Sequence, residues 1–330
     1  MFGMKRGLSA LAIAAVAAIG AQSVWAQDKG AAAWPERPVK LVMPFAAGGM
    51  GDTLARLLAS HLTKEWGQSV IVENRAGAGG MIGNEFVAKS VPDGYTLLMG
   101  ISALVQAPAL YSKLPYDVMK DFTPLVRVAG ALSLFATTDP QVQSLKDYVA
   151  VASKNPGKYS YGSYGAGTSS QIFAEIFNGN AGLKVNHVPY KGAAPLLNDM
   201  MAGHVPFSFS DLATALPFIQ SGKIRIYAVT GAKRSAALPN VPTFAEQGYA
   251  GMDMIGWYGT FGPAKLPKEI TEKIRASIEK VIRLPEFQAR LTGYGLEPVS
   301  GPPEDFAAKM QADMTYWKQA VDKYNIRIEP

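Results

Sequence analysis

The 330-residue chain contains no cysteine, which excludes disulfides and thiolate zinc sites. Histidine is scarce too: His61, His187 and His204 lack metal-ligand spacing, so no zinc hydrolase is expected and no cofactor or metal is assigned. Cations are scattered over a net charge of +6 without a Lys/Arg run, and no nucleic-acid partner is expected. Beyond Gln27 no stretch is long and apolar enough to span a bilayer. Nucleotide motifs are missing. In "RAGAGGMIG", Gly77 and Gly79 fill two positions of a dinucleotide fingerprint, but Ile82 stands at the third. No phosphate-binding P-loop occurs. Ser163 is not in a G-x-S-x-G elbow, because Tyr161 occupies the first glycine position. His187 would meet a serine nucleophile only by accident of folding, so a periplasmic hydrolase is kept as an alternative and catalysis is not expected.

What the chain does have begins with Lys5 and Arg6, an apolar run from Leu8 to Ala21, and Val24-Trp25-Ala26 at the positions of a cleavage site. Residues 1–26 therefore read as a secretory signal cleaved after Ala26, which predicts a periplasmic product. Its removal lowers the net charge from +6 to +4, with 30 basic against 26 acidic side chains left. About 300 residues remain, enough for two domains held by their cores alone.

Val39 to Phe45 is a near-continuous apolar run, as a strand buried on both faces should be, and Leu54, Leu57, Leu58, Leu62 and Trp66 follow at helical spacing. A strand at Ser69 to Val72, a helix at Met81 to Ser90 and a strand at Tyr95 to Met99 complete a β-α-β-α-β unit, hence a parallel sheet. The same alternation returns between Tyr159 and Val229. Gly67, Gly203 and Gly222 punctuate it where a helix end needs a left-handed residue. Phe122 to Thr137 reads as extended chain passing between the halves, with a second passage near Gly251 to Phe261. The stripes Ile270, Ile274, Ile278 and Phe306, Met310, Met314, Trp317, Val321 read as helices packed on the first half.

Ligand crevices of such sheets lie at the carboxyl ends of the strands, beside helix N-termini. "MPFAAGGMGD" is such a place: Gly48, Gly49 and Gly51 bare the backbone before a helix, while Asp52 reads as that helix's N-cap in preference to a ligand contact. "YGSYGAGTSSQ" matches it in the second half, with Ser163, Gly165, Thr168, Ser169 and Ser170 at a helix entry. Two anion-ready turns suggest a cleft closing on an acid; two capped helix starts are the plainer alternative. "HVPYKG" brings Tyr190 or Lys191 to the rim or leaves them on a solvated loop. Asp211 ends a strand, where it either bonds a ligand hydroxyl or amine or caps the next helix.

From about Trp34 onward the chain resembles the Bug-type solute receptors of tripartite tricarboxylate transporters. "WPERPVKLVMPFAAGGMGD", "VIVENRAGAGGMIGNEFVAKSVPDGYTLLMG", "HVPYKGAAPLLNDMMAGHV", "VPTFAEQGY" and "WYGTFGPA" look like that family's landmarks in their usual order. The resemblance implies an α/β, two-lobed periplasmic binding protein of Venus-flytrap type, each lobe a mainly parallel sheet flanked by helices, without catalysis. It implies lobe 1 from residues 27–130 plus 252–330 and lobe 2 from 131–251. It also implies an organic acid held largely by backbone N–H groups and ordered waters, with Phe45, Gly48, Gly49, Met50 and Asp52 on one side and Ser163, Gly165, Thr168 and Ser169 on the other. Ser102 and Ala103 would line the floor. Tyr190 and Asp211 join these candidates on their own places at strand ends.

The expected partners are a small organic acid and the membrane permease subunits of a tripartite tricarboxylate-type transporter, with the receptor itself a monomer. A signalling receptor feeding a membrane sensor needs the same cleft and stays open as an alternative. Met50 stands where many members carry a hydroxyl residue, which predicts a more apolar wall and a bulkier or aromatic acid.

Overall fold

The apolar run after Pro38 forms β1 (Val39–Met43), buried at four of its five positions. In a computed structural model that describes residues 34–299 and 303–328, it is followed by α1 (Met50–Trp66), β2 (Val70–Asn74), α2 (Met81–Ala88), β3 (Thr96–Ile101), α3 (Ala103–Leu110), β4 (Phe122–Ala131), β5 (Ser133–Thr137), α4 (Leu145–Lys154), β6 (Ser160–Ser163) and α5 (Ser169–Ala181). Then come β7 (Asn186–Pro189), α6 (Ala193–Met201), β8 (Phe207–Asp211), α7 (Leu212–Gln220), β9 (Arg225–Val229), β10 (Gly256–Pro263), α8 (Lys268–Ile282), α9 (Pro285–Gly293), β11 (Glu297–Pro298) and α10 (Pro303–Lys323). The signal segment expected at 1–26 lies outside the described residues. All these elements belong to one unit, residues 37–330.

Two sheets divide the strands, in the orders β11-β4-β10-β3-β1-β2 and β7-β6-β8-β5-β9. The β-α-β segments give the parallel pairs, β1 with β2 and β3, and β6 with β7 and β8. Strands β10, β4 and β11 run antiparallel in the first sheet, and β5 runs antiparallel to β8 and β9 in the second, so both sheets are mixed. These antiparallel strands are the crossings. The segment 122–137 is two strands, β4 in one sheet and β5 in the other, separated by Leu132. β10 brings the chain back and is buried at every position. The fold is α/β with two lobes, one per sheet.

Gly67 takes the left-handed conformation at the end of α1 (φ 65°), and Gly203 and Gly222 do so just past α6 and α7 (φ 80° and 71°). Buried aromatics fill the second lobe: Phe135 packs on Tyr148, Phe177, Phe207 and Phe209. In the first, Ile270, Ile274 and Ile278 of α8 are buried beneath α1 and β4. The last helix departs from expectation. α10 packs on α3 and β4, but Trp317 also meets Phe173 of α5 edge-on at 5.5 Å and the Tyr324 hydroxyl donates to Asn180. It therefore ties both lobes together instead of serving the first alone.

Candidate ligand site between the lobes

β1 ends at Met43, and the next six residues reverse into α1. Gly48 has φ +87°, and Gly49 is the N-cap, extended at φ −81° and ψ 171°. Asp52 is thus not the N-cap. It sits in the first helical turn, and its Oδ2 accepts the Gly48 N–H at 3.1 Å and Arg56 Nε at 3.0 Å, while Arg56 Nη2 lies 2.9 Å from Oδ1. A glycine can hold the extended cap position without a side-chain bond, so the carboxylate caps from inside the helix. Burial pushes the Asp52 carboxyl up, but Arg56, the Gly48 N–H and Asn74 outweigh it and hold it below the usual carboxylate value. Met50 donates its N–H to Thr214 Oγ1 of α7, in the other lobe, at 3.0 Å.

In the second lobe, parallel pairing of β6 and β7 sets Tyr161 beside His187 and Ser163 beside Pro189. Ser163 Oγ then lies 2.6 Å from His187 Nε2, a pairing that sequence spacing did not predict. Burial lowers the imidazole to about 4, so the ring is neutral at neutral pH, and it stacks on Tyr161 at 5.0 Å. Ser163 is fully buried, and its Oγ also contacts the Gly165 carbonyl and N–H at 3.2 and 3.3 Å. It braces the turn. Thr168 caps α5, and its buried hydroxyl donates to the Gly165 carbonyl at 2.6 Å. Ser169 reaches into the first lobe: its Oγ is 3.2 Å from Ser102 Oγ and accepts Gln106 Nε2 at 2.8 Å.

Between the lobes lies a cavity of about 50 Å³. Of the residues singled out from sequence, Phe45, Gly49, Met50, Gly51, Asp52, Ser102 and Asp211 line it. Gly48, Ala103, Ser163, Thr168 and Ser169 do not line it: Gly48 is exposed, and the other four are buried. Gly165 and Tyr190 line a neighbouring cavity of about 220 Å³, where the Tyr190 hydroxyl donates to Asp199 at 2.7 Å. Sequence reasoning missed Ser133, Tyr164, Trp257 and Tyr258, which complete the first cavity. Tyr164 and Tyr258 stood inside the quoted "YGSYGAGTSSQ" and "WYGTFGPA" as aromatics near strand ends, the signal available for them.

No basic side chain lines this cavity among the described residues. Asp211 takes the second of its two expected roles and caps α7, accepting the Thr214 N–H at 2.7 Å and its hydroxyl at 2.8 Å. Burial raises the Asp211 carboxyl, and Thr214 offsets that rise only in part. Burial likewise pushes up the Tyr164 and Tyr258 phenols, with the nearby Asp211 charge adding to it. Both phenols are therefore neutral, and each has an O–H to donate.

A family model described as "Tripartite tricarboxylate transporter family receptor" matches residues 54–326. Protein BugT of Bordetella pertussis is 31% identical over 300 residues, spanning 90% of this chain and 92% of BugT. Among solved structures, R. palustris Rpa4515 with adipate superposes with a TM-score of 0.86 at 33% identity, covering 89% of this chain and 99% of that one. The periplasmic binding protein BugD superposes at 0.85 with 34% identity, covering 90% and 100%. The family model spans the chain from α1 to the end of α10, the relatives cover about nine-tenths of it, and the chain belongs to the Bug-type family of tripartite tricarboxylate transporter receptors.

Proposed function

We propose that the protein is a periplasmic solute-binding protein that captures an organic carboxylate between its lobes and delivers it to a tripartite tricarboxylate-type permease. One observation carries this: the cavity is lined by the Gly49 turn, by Ser102, Ser133, Tyr164 and Tyr258, and by Asp52 and Asp211, whose carboxylates are already engaged by Arg56 and Thr214, with hydrogen bonds crossing the cleft around it. Ala46 N–H donates to the Lys191 carbonyl at 3.1 Å, Met50 N–H to Thr214, and Ser102 and Gln106 meet Ser169. A ligand touching both lobes favours the closed form by its differential contacts.

In this account the lobes are residues 27–130 plus 252–330 and residues 131–251, the chain acts as a monomer, and residues 1–26 direct export and are removed. The acid's carboxylate meets the Gly49 turn, Ser102, Ser133 and Tyr164, and Ser163, Gly165 and Thr168 hold the second turn in shape. Acid capture in the related Rpa4515 structure, solved with adipate, supports the ligand class. The Ser163–His187 pair revives the hydrolase alternative but does not favour it, because the serine is completely buried and its oxygen already braces the turn.

A thermal-shift screen of the chain from Gln27 tests the function, using mono-, di- and tricarboxylates, aromatic acids and the matching neutral amides. A binder at a hundred times its Kd adds about 2.7 kcal/mol, a shift of a few degrees. Selective stabilisation by acids is expected. Stabilisation by amides alone defeats the carboxylate reading, and turnover of an ester would replace it with the enzyme.

A further inference from the structure

The hydrogen bonds that cross the cleft at Ser169 have a direction. Gln106 of α3 is fully buried, and its Nε2 donates to Ser169 Oγ at 2.8 Å. An amide nitrogen can only donate, and a hydroxyl has a single proton of its own. Ser169, with its oxygen taken by Gln106, has that proton left to give, and Ser102 Oγ lies 3.2 Å away. When Ser102 accepts it, the Ser102 O–H is left without a partner among the described residues. The Tyr164 phenol also neighbours Ser169, and it too lines the cavity, so neither route leads the donor away from it.

Ser102 lines the cavity, as do Gly256 and Trp257 of β10. Its N–H donates to the Trp257 carbonyl at 3.1 Å, which pins its backbone to that strand. A Cβ on Gly256 would stand 3.0 Å from Ser102 Oγ and 3.6 Å from Ser169 Oγ, so the bare glycine leaves both hydroxyls room beside the wall. Gln106 Oε1, by contrast, is buried without a partner. An unpaired buried oxygen is costly to stability, which points to a use for this amide other than holding the fold.

We propose that Gln106 is a positioning residue for acid recognition: through Ser169 it fixes Ser102 as a hydrogen-bond donor to the ligand, so the site favours a group that offers only acceptors. This rests on the carboxylate reading above and deepens it by naming what separates an acid from its neutral amide. A carboxylate accepts on both oxygens, whereas an amide must turn its oxygen, and not its nitrogen, to Ser102. Each bond of the chain polarises the next. Ser102 caps α3, which carries Gln106, and Ser169 opens α5 in the other lobe, so the donor is set only where the lobes meet.

The test is calorimetric titration of the chain from Gln27 with acids and their amides: propionate and propionamide, adipate and adipamide, benzoate and benzamide. In at least one pair the acid should bind roughly tenfold tighter than the amide, as a charge-assisted bond replaces a neutral one. Gln106→Met keeps the length of the side chain and removes the donor, and should narrow that preference to roughly twofold. Loss of a closure contact alone would weaken acid and amide alike, so the ratio isolates the direction of the donor. In a Ser102→Ala background, Gln106→Met should change the ratio no further. Should Gln106→Met not fold, Ser169→Ala breaks the same relay at its middle, with the same outcomes. An acid preference that survives the break, or losses that simply add in the double variant, overturns this inference alone. Amides binding the unaltered protein as tightly as acids, or no probe binding at all, removes the carboxylate reading and this inference with it.

Discussion

Gly79 shows how much of the cleft is decided by single residues. Its φ of +62° suits glycine, and a Cβ there would run into the Ala166 carbonyl across the cleft. Gly79→Ala should cost about 1 kcal/mol in backbone strain and also prop the lobes apart, so acid affinity should fall more than stability does. Equal losses in titration and in denaturant melts would make Gly79 a turn residue and nothing more. His187 makes a different prediction. Its folded value, lowered to about 4 by burial, lies below the unfolded value near 6.5, so the unfolded chain binds a proton that the folded ring refuses. This part of the stability is complete above about pH 6.5, is lost as pH falls towards 4, and then levels off. Partial access of the ring to water keeps the loss under about 3 kcal/mol. His187→Gln should flatten the melting temperature between those limits, and an unchanged slope would assign the acid response to other groups.

At the scale of elements, α1 and α7 meet across the cleft through Thr214. It accepts the Met50 N–H and donates to Asp211, so one hydroxyl joins the start of one helix to the cap of another. Thr214→Val should cost roughly 1–2 kcal/mol in stability and loosen closure, and a double-mutant cycle with Asp211→Asn should show the two changes to be coupled. Strict additivity would mean that the relay is not a unit. Most elements were legible in the sequence because their signals are local: apolar runs for β1 and β3, helical spacing for α1 and α8, and glycine stops at 67, 203 and 222. Those that were not have physical reasons. α3 (Ala103–Leu110) is apolar on nearly every side and so has no period to read. α4 was announced by Ser144, whose hydroxyl caps the Asp147 N–H at 3.0 Å, but its ten residues lie between a crossing strand and β6, where no repeat drew attention to them. The crossing itself read as passage, although each half of it pairs in a different sheet.

For the whole molecule, the site is partly legible because the turns are contiguous while the cavity is not. Phe45, Gly49 and Ser102 follow the ends of first-sheet strands. Ser133, Tyr164 and Tyr258 reach the same space from β5, the loop after β6 and β10, and only the crossing topology brings them together. Asp52 read as an N-cap and Ser163 as a candidate ligand contact in the sequence, and the fold uses both to hold its own turns. Closure should therefore be a motion of two pre-shaped lobes hinged at the crossing strands. α10, in contact with both, should limit its range, so Trp317→Ala should broaden the solution scattering profile in the absence of acid; an unchanged profile would place the restraint elsewhere. A crystal structure grown with the acid that most raises the melting temperature decides whether the interlobe cavity is where an organic acid binds. Its carboxylate should lie within hydrogen-bond reach of Ser133 or Tyr164 and of the Gly49 turn, and an acid seated outside the cleft would rule the cavity out as its site.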